Sequence, residues 1–195
     1  MNEHAVTPPF KAAKEPLSRL SGPYGHPLHP MFVTVPIGAW VSSIAFDLLG
    51  AAGKEPRAYA VGAKTLIDIG NGTALLAAVF GLLDFLKIPR GTRAWYVGVA
   101  HLTLNASAIA LFAIGSASRR DSLRASEERN ADAVTWQQRG ISLATAGALG
   151  ISGWLGGVLA YGYGVRVADE EHQREAGFRY ETFTQRMRAL LMRSN

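Results

Sequence analysis

Long runs without a charged residue alternate with short polar segments along this chain. No Asp, Glu, Lys or Arg occurs in residues 21–46, 94–118 or 140–165, and residues 66–86 hold only Asp68 and Asp84, near the two ends. A helix needs about 20 apolar residues to cross a hydrocarbon core, whereas an amphipathic helix of a soluble domain carries a polar face. We therefore predict an all-α fold, a bundle of four transmembrane helices at about residues 31–50, 65–87, 94–117 and 140–165.

Aromatic residues stand at the ends of the predicted spans. Trp95 and Tyr96 open the third span, Trp136 precedes the fourth, and Tyr161 and Tyr163 close it. Such rings favour the headgroup region, where one edge of the ring meets lipid and the other meets water. Their positions therefore support the predicted boundaries.

Basic residues set the expected orientation. With spans two and three joined by a tight turn at residues 88–91, twelve Lys and Arg lie on the side that holds both termini and eight on the other side. Because cytoplasmic loops carry the excess of Lys and Arg, we expect both termini in the cytoplasm. Residues 1–30 lack the apolar core of a signal peptide, so the first span is expected to act as an uncleaved insertion signal.

Three segments lie outside the predicted spans. We expect residues 1–21 to be a mobile cytoplasmic segment, residues 22–167 to form the membrane domain, and the loop 119–139 to carry a short surface helix. In the tail, residues 168–195, apolar positions recur at helical spacing between basic ones, which is typical of an amphipathic helix. This helix would lie on an anionic leaflet or pack on a neighbouring surface.

Composition excludes several classes of site. There is no cysteine, which removes disulfides, thiolate catalysis, iron–sulfur clusters and c-type haem attachment. No glycine-rich phosphate loop, zinc helix motif or Ser/His/Asp arrangement appears. Only 18% of the residues are charged, and the expected partner is the lipid bilayer, with no nucleic acid.

Polar residues inside a bilayer are costly, so each one calls for a partner or a purpose. At about 1.5 Å per helical residue they fall into two layers about 24 Å apart. Asp47 and Asp68 form the outer layer, where we expect interfacial, mostly structural carboxylates that pair with nearby basic residues. The inner layer, near the predicted cytoplasmic face, contains the candidate cofactor-binding residues His26, His29, Asp84, His101 and Tyr161.

Small residues predict which helix faces pack together. His101 shares a face of the third span with Gly98, Asn105, Ala108 and Phe112, and Asp84 shares a face of the second with Gly70, Thr73, Ala77 and Gly81. Tyr161 shares a face of the fourth span with a glycine stripe, Gly150, Gly153, Gly157 and Gly164. We expect all three faces to point into the bundle, and the glycine-rich fourth span also suits contact with a second copy of the chain.

The entrance to the first span has an unusual sequence, Gly-His-Pro-Leu-His-Pro at residues 25–30. Because a proline disfavours helix at the residue before it, we expect His26 and His29 in extended backbone, and a kink at Pro36. Two histidines at this spacing, together with His101 and Asp84 in the same leaflet, would either bind a metal or form a clamp. In the clamp, His29 and His101 hydrogen-bond to carbonyls or to Asp84.

At these residues the chain resembles a bacterial family of small four-span membrane proteins that is catalogued only as a domain of unknown function. The resemblance covers about residues 22–167 and rests on residues 26–30 and 35–38, 81–84, His101 with Asn105, and residues 153–164. It implies a four-helix fold in the bacterial cytoplasmic membrane. Some members adjoin a Rieske-type domain, which points to membrane redox chemistry, and many have a histidine where this chain has Tyr163. If that histidine is a haem ligand, the site is altered here.

Three functions follow, in order of preference. The first is a non-enzymatic component with a structural His/Asp cluster, associated with a larger membrane or redox complex. The second is a haem- or quinone-binding redox module, in which His101 and either His26 or His29 are the axial ligands of a b-type haem. The third is a proton or ion relay through Asp84 and His101, against which no continuous polar line joins the two layers.

Overall fold

The computed structural model describes residues 8–52, 55–129 and 133–173, and these residues form only helices, turns and connecting loops. The helices are α1 (Pro8–Lys14), α2 (Leu28–Phe32), α3 (Thr34–Ala52), α4 (Pro56–Phe85), α5 (Arg93–Arg129), α6 (Trp136–Gly157) and α7 (Glu170–Gln173). A 3₁₀ turn covers Arg19–Ser21, and a π-helical turn, Val158–Gly162, continues α6.

Four of these segments are long and apolar enough to cross a membrane: Leu28–Ala52, Pro56–Phe85, Arg93–Ser126 and Trp136–Gly162. Within the bundle α3 packs on α4, α4 on α5 and α5 on α6, and a smaller contact between α6 and α3 completes the circuit. The prediction of an all-α bundle of four apolar helices is confirmed.

Stacked aromatic rings mark the middle of the bundle. Trp40 of α3 and Phe112 of α5 lie parallel, with ring centroids 4.8 Å apart, and pack with Ile67 and Ala74 of α4. Large apolar side chains point outward instead, and Leu75, Ile114 and Trp154 are 60%, 65% and 68% exposed. Because such surfaces suit lipid rather than water, this is a multi-pass membrane protein.

The first span is broken near its start. α2 ends at Phe32 and α3 begins at Thr34. Pro36 has no N–H to donate to the carbonyl four residues earlier, which explains a break at this point. His29 lies within α2, so the prediction of extended backbone is wrong for this residue. Pro30 is tolerated because the N–H groups of a first helical turn need no partner within the helix.

α5 is much longer than its predicted span. Its 37 residues cover about 55 Å, well beyond a hydrocarbon core of about 30 Å. The helical composition after Arg119 therefore belongs to α5 itself, and the prediction of a separate surface helix in the loop 119–139 is wrong. The predicted hairpin is confirmed, since α4 ends at Phe85 and α5 begins at Arg93.

The start of α6 is capped by its own sequence. The Thr135 hydroxyl accepts from the Gln138 backbone N–H at 3.2 Å, and the Gln138 side chain accepts from the Thr135 backbone N–H at 3.0 Å. This capping box satisfies two N–H groups that the helix leaves unpaired. It fixes the start of the fourth span directly after the loop.

Chain segments outside the spans pack onto one end of the bundle. The backbone N–H of Arg166 donates to the carbonyl of Ala13 at 3.0 Å, and Phe10 lies beside Gly164. These contacts place α1 against the end of the fourth span, and the mobility of residues 1–21 stays a prediction. The predicted amphipathic tail falls largely on residues 174–195, which lie outside the described residues.

Candidate functional site

His29 is fixed by a hydrogen bond from α2 to the second span. Its Nδ1 lies 2.9 Å from the carbonyl oxygen of Ala77. A carbonyl only accepts hydrogen bonds, so Nδ1 carries the hydrogen, and Nε2 holds the lone pair of the neutral ring. The ring packs against Gly81, where an added Cβ would lie only 2.8 Å from Nδ1 and Cε1. Gly81 therefore makes room for the imidazole.

His101 is held in the same way between the third and fourth spans. Its Nδ1 lies 2.7 Å from the carbonyl oxygen of Ser152, which again leaves Nε2 with the lone pair. Asn105 Nδ2 donates to the carbonyl of His101 at 2.8 Å and to the Ser152 hydroxyl at 2.7 Å, and it lies 3.2 Å from His101 Nε2. A cradle of backbone and side-chain oxygens thus orients the ring.

The two histidine rings face each other across the bundle. Their centroids lie 6.3 Å apart and their planes are almost perpendicular, at 89°. We name His29, His101, Asn105 and Ser152 the histidine layer. The two rings of this layer come from helices that are far apart in sequence, and each ring uses one nitrogen to hold a neighbouring helix.

Asp84 pairs with Arg166 and not with a histidine. The carboxylate lies 2.8 Å from Nε of Arg166, and the two side chains are 11% and 3% exposed. Of the two acceptors expected for the histidine clamp, backbone carbonyls and Asp84, both rings therefore use the carbonyls. Arg166 has a backbone φ of +60°, in the left-handed region, and its side chain is buried in the protein.

Arg166 also hydrogen-bonds to the backbone of the N-terminal segment. Its guanidinium donates to the carbonyls of Lys14, Ser21, Gly22 and Pro23 at 3.0–3.3 Å. A single buried cation thus pairs with Asp84 and lies within hydrogen-bond distance of four carbonyls of the segment that precedes α2, three of which share the two hydrogens of Nη2. The sequence signal was the position of Arg166, directly after a long uncharged run.

Two predicted site residues lie elsewhere. His26 precedes α2 and its side chain is exposed. Tyr161 is 91% exposed, so the prediction that it lies on the packed face of the fourth span is wrong. The glycine stripe also faces outward, since an added Cβ at Gly150 or Gly153 would meet no atom within 4 Å.

The packed face of α6 is polar instead. Its buried residues are Gln138, Ser142, Thr145 and Ser152. They recur at helical spacings of four, three and seven residues, which was the signal that the sequence offered. Gln138, Ser142 and Ser152 bond to side chains of α5, and Gln138, for example, donates to Ser118 at 2.7 Å. Thr145 instead donates to the carbonyl of Ile141 in its own helix.

The outer layer contains a fully buried ion pair. Arg119 of α5 donates to both carboxylate oxygens of Asp47 at 2.6 and 2.5 Å and to the Ser142 hydroxyl at 3.1 Å. Asp47 is therefore not interfacial, and its partner is not one of the nearby basic residues. Asp68 does behave as predicted, since it pairs with Lys64 at 2.6 Å and also accepts from Ser116.

The two polar layers are separated by the aromatic core. Trp40, Ile67 and Phe112 lie between the Asp47–Arg119 pair and the histidine layer, and each is at most 3% exposed. An ion or proton relay needs polar groups or water along its path. The described residues offer an apolar barrier here, which does not favour conduction.

A second polar cluster lies beside the bundle at the edge of the first and fourth spans. The Tyr24 hydroxyl donates to Asp169 at 2.8 Å, and its ring contacts the His172 ring edge-on at 5.0 Å. Burial raises the pKa of Tyr24 above its usual 10.0. Hydrogen bonds from the His172 backbone N–H and from Tyr24 lower the pKa of Asp169 below its usual 3.8. No pattern in the sequence predicts this contact, because it links residues 145 apart.

Three further features bear on cofactor binding. Among the described residues no group of three or more His, Asp or Glu side chains is arranged to hold a metal ion. A cavity of about 140 Å³ lies at the opposite end of the bundle, beside Gly50, Trp136 and Arg139. Beside the histidine layer, the backbones of Gly81 and Gly156 lie close against the two rings.

Comparison with known proteins places the membrane part of the chain in one family. A family model described as "Predicted membrane protein (DUF2231)" matches residues 25–169, which include α2 to α6, the histidine layer and the Asp84–Arg166 pair. No curated protein and no solved structure matches the chain. The chain therefore belongs to the DUF2231 family of predicted membrane proteins.

Proposed function

We propose that this protein is a non-enzymatic component of the bacterial cytoplasmic membrane, with both termini in the cytoplasm. One observation carries the proposal: the buried charged groups and the half-buried histidine and amide groups of the bundle join one helix to another. His29 joins α2 to α4, and His101 joins α5 to α6. Side chains used in this way hold the bundle together.

The buried ion pairs also link helices to one another. Asp47 and Arg119 join α3 to α5, and Ser142 adds α6. Asp84 and Arg166 join α4 to the segment after the fourth span. Lipid provides no hydrophobic force between helices, so such polar links and close packing supply much of the association energy. The product is a rigid bundle with apolar outer surfaces.

The outward glycine stripe supports association with a further protein. Gly147, Gly150, Gly153 and Gly157 offer positions where no described atom lies within 4 Å of an added Cβ. Small residues allow close approach of another membrane helix. We therefore extend the proposal to a second copy of the chain or a larger membrane complex that contacts α6.

Substitution at His101 tests the structural role. His101→Ala removes the donor to Ser152 and should lower the free energy of unfolding in detergent by about 1–3 kcal/mol. His101→Gln still donates and accepts, so it should recover part of that loss. The matched control is His26→Ala, at an exposed histidine, which should leave the unfolding transition unchanged.

Two results would contradict the proposal. One is a His101→Ala variant that unfolds like the wild type, since the clamp would then add nothing. The other is substrate turnover by the purified protein that disappears in His101→Gln while the unfolding transition is retained. That pattern would make the histidine layer a catalytic site.

A further inference from the structure

Each histidine of the histidine layer has a second ring nitrogen, Nε2, whose lone pair is not needed for the contacts between helices. Each imidazole spends Nδ1 on a backbone carbonyl, Ala77 for His29 and Ser152 for His101. This is the pattern of metal-binding histidines, whose second nitrogen donates to a carbonyl or carboxylate and thereby fixes the tautomer. Among the described residues, Nε2 of His29 has no hydrogen-bond partner. The contact between α2 and α4 needs only Nδ1, so the lone pair of Nε2 is free for a ligand.

The Nε2 atom of His101 is also open to a ligand. Asn105 Nδ2 lies near three acceptors but has only two hydrogens. The two shorter distances, 2.8 Å to the His101 carbonyl and 2.7 Å to the Ser152 hydroxyl, account for both. No hydrogen of Asn105 remains for the 3.2 Å contact to Nε2, so this contact competes only weakly with a ligand.

The spacing of the rings matches one shared ion. A metal–imidazole bond is about 2 Å long and the bound nitrogen lies about 1 Å from the ring centre, so two imidazoles in line on one ion have centres about 6 Å apart. The centroids of His29 and His101 are 6.3 Å apart. Gly81 and Gly156, which lie against the rings, keep both of them at this position.

The donor set selects the ion. Zinc in proteins takes four ligands, and calcium and magnesium take oxygen cages, whereas two imidazoles lie side by side here. Cuprous copper accepts two ligands in line, and imidazole is one of the ligands that copper takes in proteins. It also carries a single charge, which costs less to bury in hydrocarbon than a divalent ion would. Asp84 supplies no compensating charge because Arg166 neutralises it.

We infer that His29 and His101 form a two-imidazole binding site for Cu(I) within the membrane. This inference goes beyond the proposed structural role and does not depend on it. The hydrogen bonds to Ala77 and Ser152 orient the two rings, and the Nε2 atoms bind the ion. No reaction is needed for the site to act, since binding alone would let the protein hold or pass on the ion.

The test is a Cu(I) titration of the full-length protein in detergent, under anaerobic conditions with ascorbate and a chromophoric Cu(I) chelator as competitor. Because the chain has no cysteine, thiolates cannot account for binding. The wild type should bind one equivalent, and X-ray absorption should report two nitrogen neighbours. His29→Gln and His101→Gln should each weaken binding at least about 100-fold, more than the loss of an outer-shell partner.

Exposed histidines supply the matched controls. His26→Gln and His172→Gln should bind copper like the wild type. Retained unfolding transitions in His29→Gln and His101→Gln would show that lost binding is not lost folding. If either variant does not fold, Gly81→Ala, which crowds His29 while keeping both imidazoles, should weaken Cu(I) binding instead.

Several outcomes would overturn the inference. They are a wild type that binds no Cu(I) at one equivalent, unchanged binding in the His29→Gln/His101→Gln double variant, and loss of binding in His26→Gln. Equal affinity for Zn²⁺ at the same residues would reject a two-coordinate site. A Soret band in the purified protein that disappears in His101→Gln would assign the pair to haem.

Discussion

Arg119 and Asp47 lie 72 residues apart and form a two-point ion pair inside the bundle, at 2.6 and 2.5 Å. Their side chains are 0% and 2% exposed, so neither charge reaches water. The arrangement is the planar, bidentate geometry for which arginine is suited and lysine is not. It ties the first span to the third at the end opposite the histidine layer.

Breaking this pair from one side should be costly. Asp47→Asn leaves Arg119 buried without a counter-charge and should lower the free energy of unfolding by about 3–5 kcal/mol. The control is Asp68→Asn, whose partner Lys64 forms an exposed i, i+4 pair expected to contribute about 0–1 kcal/mol. Unfolding in mixed micelles measures both, and equal losses for the two variants would contradict the buried-pair assignment.

Arg166 should control the order of the segment before α2. Arg166→Gln removes the hydrogen bonds to the carbonyls of Lys14, Ser21, Gly22 and Pro23, and leaves Asp84 unpaired. Trypsin cleavage after Arg19 should then accelerate at least about tenfold, because local opening exposes the site. Arg93→Gln, at an exposed arginine, is the control. An unchanged cleavage rate in Arg166→Gln would show that other contacts hold the segment.

Gly81 should be intolerant of a methyl group. In Gly81→Ala the new Cβ would lie 2.8 Å from the His29 ring, so the ring or α4 must move, and overpacking of this kind costs about 1–3 kcal/mol. Gly38→Ala is the matched control, because an added Cβ there meets no described atom within 4 Å. It should be neutral or stabilise α3 by up to about 1 kcal/mol. Thermal unfolding of both variants measures the difference in stability between them. Equal stabilities would show that the His29 ring moves aside at no cost.

The contact between Tyr24 and Asp169 should depend on pH at both extremes. The lowered pKa of Asp169 means that its stabilising contribution is present above about pH 4 and is lost as the pH falls through the folded-state pKa. The raised pKa of Tyr24 means that its contribution is present below about pH 10 and is lost as the pH rises through the folded-state value. The contact should therefore persist between these limits.

Carboxyl NMR and tyrosinate absorbance measure the two titrations. In Tyr24→Phe the pKa of Asp169 should rise toward 3.8 while the His172 N–H still lowers it in part. Tyr96→Phe, at an exposed ring, serves as the control. An Asp169 pKa that is the same in Tyr24→Phe and wild type would remove the tyrosine as a cause.

Orientation in the membrane is testable because the chain contains no cysteine. Ser18→Cys, on the predicted cytoplasmic side, should be shielded from an impermeant thiol reagent in intact cells, and Asp121→Cys should react. Both positions are exposed, so a difference in labelling reports sidedness rather than burial. The reverse pattern would invert the orientation and place the histidine layer near the outer face.

Much of the fold is encoded in local pattern. The lack of charge over each span and the turn between α4 and α5 are local features of the sequence, and each predicts an element that the structure contains. The packed faces of the second and third spans, which carry Asp84 and His101, also follow from helical spacing. In lipid every backbone polar group must bond internally, so an apolar run of this length leaves the chain little choice but helix.

The partner of each buried polar side chain, and the face that each helix turns toward the bundle, depend on residues far apart in sequence. Local pattern does not determine them. The sequence placed His101, Asp84 and His29 in one leaflet, but only the packed helices assign Asp84 to Arg166, His101 to Ser152 and Asp47 to Arg119. The fourth span has both a glycine face and a hydroxyl face, and its glycines predicted the wrong one as interior. Helical period fixes the angle between two faces but not which face meets a neighbour. In this protein that choice follows from the need of Arg119, His101 and Asn105 for polar partners, which the serines of α6 satisfy.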